Sequence, residues 1–556
     1  MLSDPDLVNA RHRWRTRVRY SARQLWVFLY FSGACTVSGA IFKSTAVTGM
    51  ATLVSRITGL AREMIYAQAF GASAFMDAWL VAFKIPNFLR RLFAEGSFSQ
   101  SFVPVISEYK HKRSSDEVRD LVDDVAGTFG VVLFVITAAG VIAAPLIILA
   151  FAPGWHADGN KFDLAVSMLR WTFPYLFFIS LSALFSGVLN SYGKFALPAY
   201  TQVIMNIVMI VVALWIAPHT ANPGIALAIG VFVSGLLQLA FQVPVVMKLG
   251  LFRWPRWRPA ADGVRRIGKL MLPGIAGSSM AQVSLLLDTQ IASFLVNGSV
   301  SWLYYADRLM EFPLGVFSIA LATVILPGLS RHHAAESPER FTETLDWALR
   351  LVILLVSPAA VAMLAFAGPL TATTFGYGKF SAHDVDMASY ALMAYSWGLI
   401  GFSLVKVLAP GYFARQDTRT PVRVGFIALG CNMVLNLAIV IPAKKMGFPA
   451  PHILLATATC CSAAINTALL WRGLVKSGVY KPKAGWGVLL ARIVFANAVM
   501  GALLVWMAGD TGDWLAMAPL HRAARLAVCM IGAAAAYFAA LYVSGVRLAQ
   551  MRGGHA

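Results

Sequence analysis

Charged side chains interrupt several stretches of this sequence that are otherwise apolar. One stretch reads Ser55-Arg56-Ile57-Thr58-Gly59-Leu60-Ala61-Arg62-Glu63. If it is helical, Arg56 and Glu63, seven apart, share nearly one face, and Arg62 lies about 120° around the axis from Arg56. A second stretch carries Asp77, Lys84, Arg90, Arg91 and Glu95, with Arg91 and Glu95 spaced as an i,i+4 pair. A third carries Asp307, Arg308 and Glu311 within one turn. Inside a bilayer each such group costs about 2.5–3.5 kcal/mol and faces a protein interior or a wet cavity. Snorkelling from helix ends would account for Arg90, Arg91 and Glu95. It accounts less well for Arg56, Arg62 and Arg308, whose combined cost approaches about 10 kcal/mol unless water or an anion offsets it. The guanidinium fork fits phosphate bidentately. The chemistry expected is therefore a cationic cavity for an anionic, phosphorylated substrate, with Asp77, Glu95, Asp307 and Glu311 as further ionisable candidates.

Oxygen ligands form a second candidate group. Asp288 stands alone in Ser284-Leu285-Leu286-Leu287-Asp288-Thr289-Gln290, Asn432 and Asn436 are four apart, and Thr457 follows in the next run. Carboxylate, amide and hydroxyl oxygens suit a hard monovalent cation or a proton relay. Interhelical hydrogen bonding is the plainer account of the Asn and Thr residues. It leaves Asp288 unexplained.

These residues need helices that span a membrane. Of 556 residues 58% are hydrophobic and 13% charged, against about 45–50% and about 25% in soluble domains. Composition thus excludes a soluble multidomain protein, a disordered chain and a disulfide scaffold. Runs long enough to cross the bilayer, about 20 residues, lie near 46–66, 77–107, 124–152, 163–190, 199–217, 223–247, 268–296, 302–330, 344–366, 386–414, 421–442, 450–474, 486–508 and 522–546. They are continuous rather than alternating, so helices are expected and not a barrel. The net charge of +20 sits in loops after even-numbered spans, for example Arg253, Arg256, Arg258, Arg265 and Arg266. Those loops and the C-terminus are expected on the cytoplasmic side, which also argues against nucleic acid as partner. The cysteines, Cys35, Cys431, Cys460, Cys461 and Cys529, have no metal spacing. No acid/base pair or hydrolase motif points to an enzyme.

The chain also repeats itself. Val103-Pro104-Val105-Ile106-Ser107 is echoed by Leu326-Pro327-Gly328-Leu329-Ser330. The step from Pro104 to Pro327 sets the offset of the repeat. The expected fold is an all-α polytopic membrane protein of about 14 helices, with two parallel six-helix lobes (43–250 and 251–480) around a central cavity. Two further helices lie in 481–556, and transporters so built bind at the lobe interface. Residues 1–42 form a basic extension, expected to be cytoplasmic or interfacial, with a signal-like segment, a fifteenth span or an upstream artefactual start as the other readings.

Longer motifs then fall into place. They include Ser55-Arg56 with Gly59-Leu60-Ala61-Arg62-Glu63, Phe83-Lys84-Ile85-Pro86-Asn87 and Arg90-Arg91-Leu92-Phe93-Ala94-Glu95-Gly96. Others are Tyr304-Tyr305-Ala306-Asp307-Arg308-Leu309-Met310-Glu311-Phe312-Pro313, Lys406-Val407-Leu408-Ala409-Pro410-Gly411 and Arg415-Gln416-Asp417. Over about 43–550 the sequence resembles the MurJ (MviN) lipid II flippases of the multidrug/oligosaccharidyl-lipid/polysaccharide flippase superfamily. The resemblance implies an inner-membrane protein that moves undecaprenyl-pyrophosphate-linked disaccharide-pentapeptide between leaflets by alternating access, with a groove for the polyprenyl tail on the last two helices. It places the substrate on Arg56, Arg62, Arg90 and Arg308, with Ser55, Glu63 and Asn87 beside them. It matches Asp77, Glu95 and Glu311 to cavity acids, with Asp77, near the outer end of its span, as a gating residue and Asp307 beside Arg308 in the same group. Glu63 stands where the family often has Asp. An acid at the Asp288 position occurs in some relatives, which implies coupling to Na+ or H+ and to membrane potential, with no organic cofactor. Lipid II, membrane lipids and cell-wall synthesis enzymes are the implied partners. The alternatives are a flippase for another polyprenyl-linked glycan or a cation-coupled drug antiporter of the same superfamily.

Overall fold

The computed structural model describes residues 39–91 and 98–546. The alternatives for the N-terminal extension fall almost wholly on residues 1–38, and Glu95 falls on 92–97, outside the described residues. Within them every regular element is a helix. Ten are long and apolar enough to cross a membrane, from Ser115–Ile142 to Pro519–Val543. The other four expected spans are helical too: Gly39–Phe70 (α1), Ala74–Arg90 (α2) with Ser99–Lys112 (α3), Asp262–Ser293 (α10), and Ser299–Pro313 (α11) with Ala320–Ala334 (α12). These four carry the charged residues singled out above.

The spans are less regular than the hydropathy suggests. Ser115–Ile142 (α4) is followed after one residue by a short helix, Ala144–Phe151 (α5). Gly159–Thr172 (α6) and Tyr175–Ser191 (α7) are divided at Pro174, which cannot donate to the helical ladder. Ala196–Val211 (α8) runs into a π-helical turn, Val212–Ile216, before Pro223–Lys248 (α9). In the second half come Pro338–Ala365 (α13), Ala367–Phe375 (α14), Ala382–Phe413 (α15), Arg419–Leu435 (α16) with a π turn at Asn436–Val440, and Ile441–Lys445 (α17). His452–Lys476 (α18), Trp486–Ala508 (α19), Thr511–Ala516 (α20) and Pro519–Val543 (α21) complete the chain.

Here the repeat becomes structural. The first residues of α4 and α13 (Ser115 and Pro338), of α5 and α14 (Ala144 and Ala367) and of α6 and α15 (Gly159 and Ala382) all keep the offset of Pro104 and Pro327. The π turns at Val212–Ile216 and Asn436–Val440 recur at nearly the same offset. Two buried carboxylates keep it too. Asp123 accepts from the amide of Arg253 at 2.9 Å, and Asp346 accepts from the Tyr480 hydroxyl at 2.7 Å and the Trp486 indole at 2.8 Å. Each fastens the loop that leaves its half of the chain. The first loop lies so close that a Cβ on Gly127 would sit 2.1 Å from the Arg256 carbonyl oxygen.

Packing differs at the two ends of the bundle. At the end away from the basic loops, one apolar cluster joins both halves: Tyr66, Trp79 and Trp155 with Trp302, Tyr305, Phe375 and Phe380. Toward the basic loops the core divides. One cluster holds Phe98, Phe102, Leu121, Phe185 and Val246 together with Ile267. Another holds Leu329, Phe341, Leu345, Leu408 and Leu474. Apolar burial, the main cohesive term, thus joins the halves at one end and parts them at the other. The start of α10 sides with the first half, where Arg266 pairs with Glu108 of α3 at 2.7 Å. Helices α19 and α21 are tied to α13 by Asn497 to Ser357 at 2.9 Å and by the Tyr537 hydroxyl to the Leu354 carbonyl at 2.8 Å.

Candidate functional site

The arginines of α1 and α11 meet across the halves. Arg62 pairs with its neighbour Glu63 and donates to Asn206 Oδ1 of α8 at 3.1 Å. Asn206 is buried and donates in turn to the Ser55 carbonyl at 3.0 Å and the Thr58 hydroxyl at 3.1 Å. One amide therefore fixes both the guanidinium and the helix that carries it. Glu63 accepts from the Tyr304 hydroxyl at 2.9 Å. Arg308 lies over the Tyr304 ring, 4.7 Å from its centroid, and pairs with Glu311 at 2.6 Å. The chain Asn206–Arg62–Glu63–Tyr304–Arg308–Glu311 thus crosses from the first half to the second.

Two donors in this network are unspent. Arg62 Nε and Arg308 Nε are buried without a hydrogen-bond partner among the described residues, a costly state that an entering acceptor would relieve. Arg56 is exposed, against the π turn Leu314–Ile319 that follows α11, where a Cβ on Gly315 would meet its guanidinium at 3.0 Å. Arg90 donates to Asn87 Oδ1 at 3.3 Å, and Asn87 donates to the Phe83 carbonyl at 2.9 Å. The cations Arg56, Arg62 and Arg308 lie where the halves begin to part. They can reach an anion that enters from the basic end.

At the other end the gap is latched. Asp77, 1% exposed, accepts from Lys161 Nζ at 2.9 Å, from the amides of Gly298 and Ser301 at 2.8 and 2.9 Å, and from the Ser301 hydroxyl at 2.7 Å. Lys161 also donates to Asn297 at 2.9 Å and lies over the Trp155 ring. Gly298 has φ near 95°, which glycine adopts without strain. Its turn brings the two amides round to the carboxylate. Lys379 donates its amide to the Gln68 carbonyl at 2.9 Å beside this latch. On the symmetry-related side, Asp384 accepts from the Trp302 indole at 2.9 Å. Asp384 stands where the repeat carries Lys161 in the first half.

The oxygen-ligand group is assembled in part. Asn432 and Asn436 both donate to Asp288 Oδ1, at 3.0 and 3.2 Å. Their own Oδ1 atoms are buried without a partner among the described residues. The Thr459 hydroxyl donates to the Leu455 carbonyl of its own helix at 3.0 Å. Thr457 does not join through its hydroxyl, which donates to the Ile453 carbonyl of its own helix at 2.9 Å. Lys161 and Asn206 do not stand out in the sequence. Lys161 reads as a loop lysine until the repeat pairs it with Asp384.

Two parallel helical halves, joined at one end and parted at the other around exposed and half-buried arginines, define a polytopic transporter fold of the alternating-access kind. The family model described as "Lipid II flippase MurJ" matches residues 66–522. The chain is 44% identical over 526 residues to a "Probable lipid II flippase MurJ" of Vibrio cholerae, covering 93% of this chain and 98% of the relative. It is 43% identical over 518 residues to a "Lipid II flippase MurJ" of Burkholderia cenocepacia, covering 92% and 99%. The chain belongs to the MurJ lipid II flippase family. Its fold is similar to the solved structure of a lipid II flippase in an inward closed conformation, with TM-score 0.73, 24% identity, and coverage of 90% and 98%. It is also similar to an inward-facing multidrug transporter of the superfamily, with TM-score 0.60, 13% identity, and coverage of 78% and 98%.

Proposed function

We propose that this chain carries lipid II across a bacterial cytoplasmic membrane, from the inner to the outer leaflet. The carrying observation is the set Arg56, Arg62 and Arg308 at the seam between the halves, with buried guanidinium donors left open. All fourteen runs cross the bilayer in this reading, with the basic loops and the C-terminus in the cytoplasm. The arrangement then opens inward. Pyrophosphate enters from the basic end and takes the unspent donors of Arg62 and Arg308, while Arg56 draws it in. Binding there competes with the Glu63 and Glu311 carboxylates for the same guanidinium groups. It loosens the Tyr304 bridge between the halves. Release of the Asp77 latch opens the outer end, and the halves rock about the site. The membrane potential, inside negative, assists outward movement by about 2.3 kcal/mol per charge per 100 mV.

A cation at Asp288 would supply positive charge to offset that carboxylate. The partnerless oxygens of Asn432 and Asn436 fit such an ion once their amides turn, since amide oxygen and nitrogen exchange by a simple flip. An arginine-lined site suits a polyprenyl pyrophosphate better than the organic cations of a drug antiporter. The protein acts as a carrier and not an enzyme in this account. The test is rescue of growth in cells whose own flippase is shut off: this chain restores it, and Arg62→Ala does not although it reaches the membrane. Failure of the parent chain to rescue overturns the assignment.

A further inference from the structure

Lys84 lies in the membrane-spanning part of α2, apart from the hydrogen-bonded arginine network. Its ammonium donates to the Thr289 hydroxyl of α10 at 2.8 Å, a bond from one half of the chain to the other. Thr289 adjoins Asp288. The carboxylates whose charges act most on Lys84 are Asp288 and Asp307, opposed by Arg308 and Arg91. Among the described residues the hydrogen-bond donors to Asp288 are both neutral: Asn432 and Asn436. A carboxylate at this depth needs a positive charge nearby.

We infer that Lys84 is a tethered internal cation that balances Asp288 while the outer end is latched, and that a free monovalent cation takes over that role when the halves part there. This rests on the carrier reading above and deepens it. Lys84 belongs to the first half, whereas Asp288, Asn432 and Asn436 belong to the second. Rocking that breaks the Asp77 latch also withdraws the ammonium from Thr289. Asp288 is then left with two reorientable amides, whose oxygens are ligands for a hard cation. The return stroke brings Lys84 back against the bound ion, and like charges disfavour joint occupancy. Ion binding and conformation are thereby linked: the ion favours the state in which Lys84 is away, and Lys84 lowers ion affinity in the latched state by the same factor.

The test is sodium binding to the purified full-length protein, read with 22Na+ and with sodium-dependent thermal stabilisation. Neither readout requires lipid II, so a failed carrier assignment would not confuse the result. Lys84→Gln keeps a hydrogen bond to Thr289 and removes the charge. It is expected to bind sodium at least tenfold more tightly than the parent. Lys84→Arg is expected to resemble the parent, and Lys84→Gln with Asp288→Asn to lose the gain. Both single variants should retain the parent's melting behaviour in sodium-free buffer to within a few degrees. Unchanged sodium affinity in Lys84→Gln, or tight binding that survives Asp288→Asn, overturns the inference.

Discussion

Single side chains here do two jobs at once. Asn206 holds Arg62 and also ties α8 to the backbone of α1. Asn206→Ala is expected to cost about 1–3 kcal/mol by orphaning buried partners, read as a lowered melting temperature, and to cut transport further than the stability loss explains. Asp77 is the more decisive case. Removing one partner of a buried ion pair costs about 3–5 kcal/mol. That cost falls on the latched state alone, because Asp77 and Lys161 regain water when the outer end opens. Lys161→Ala should therefore shift the population toward the outward-open form rather than unfold the protein. Distances between spin labels on the outer ends of α2 and α11 would report it, and an unchanged distribution would remove Lys161 from the latch. Residues of this kind are unevenly legible in sequence. A charge in an apolar run stands out, so Arg56, Arg62, Asp77, Asp288 and Arg308 were all readable. An amide in such a run, Asn206 among them, does not, because packing uses it as readily as chemistry does.

At the scale of elements, hydropathy located the spans but not their breaks. Runs of apolar residues report burial in lipid and are blind to where the ladder shifts. The π turns at Val212–Ile216, Leu314–Ile319 and Asn436–Val440 left no trace in it. The third begins at Asn436, a partner of Asp288, and π turns often sit at such sites. The repeat was readable from two proline motifs. Extended along the chain at the same offset, it would have exposed Asp123 with Asp346 and Lys161 with Asp384. Asp123 and Gly127 of α4 make one prediction. The loop at Arg253–Arg258 packs directly on Gly127, where even a Cβ would clash with backbone. Gly127→Val should release this loop, and trypsin should then cut at Arg253 and Arg256 far faster than in the parent. Equal protection in the variant would show that the loop is held elsewhere.

Across the whole molecule, the division of the core decides what the transporter is doing. A shared cluster at one end and separate clusters at the other make the parted end the entrance. Cysteines placed at Ser55 or Gly315 should thus react with a membrane-impermeant thiol reagent supplied from the cytoplasmic face and resist one supplied outside. Helices α19 and α21 should move with the second half, since their bonds run to α13. A groove on them would carry the lipid tail through the same stroke as Arg308. The central claim is that the seam arginines move a pyrophosphate-linked lipid. It is tested most directly by labelling lipid II exposed on the outer leaflet of cells depleted of their own flippase. Expression of this chain is predicted to restore labelling, and a membrane-inserted Arg308→Ala variant is predicted not to. Restoration by Arg308→Ala at the parent's level would contradict the role of the cationic seam, and no labelling with a well-expressed parent would contradict the substrate.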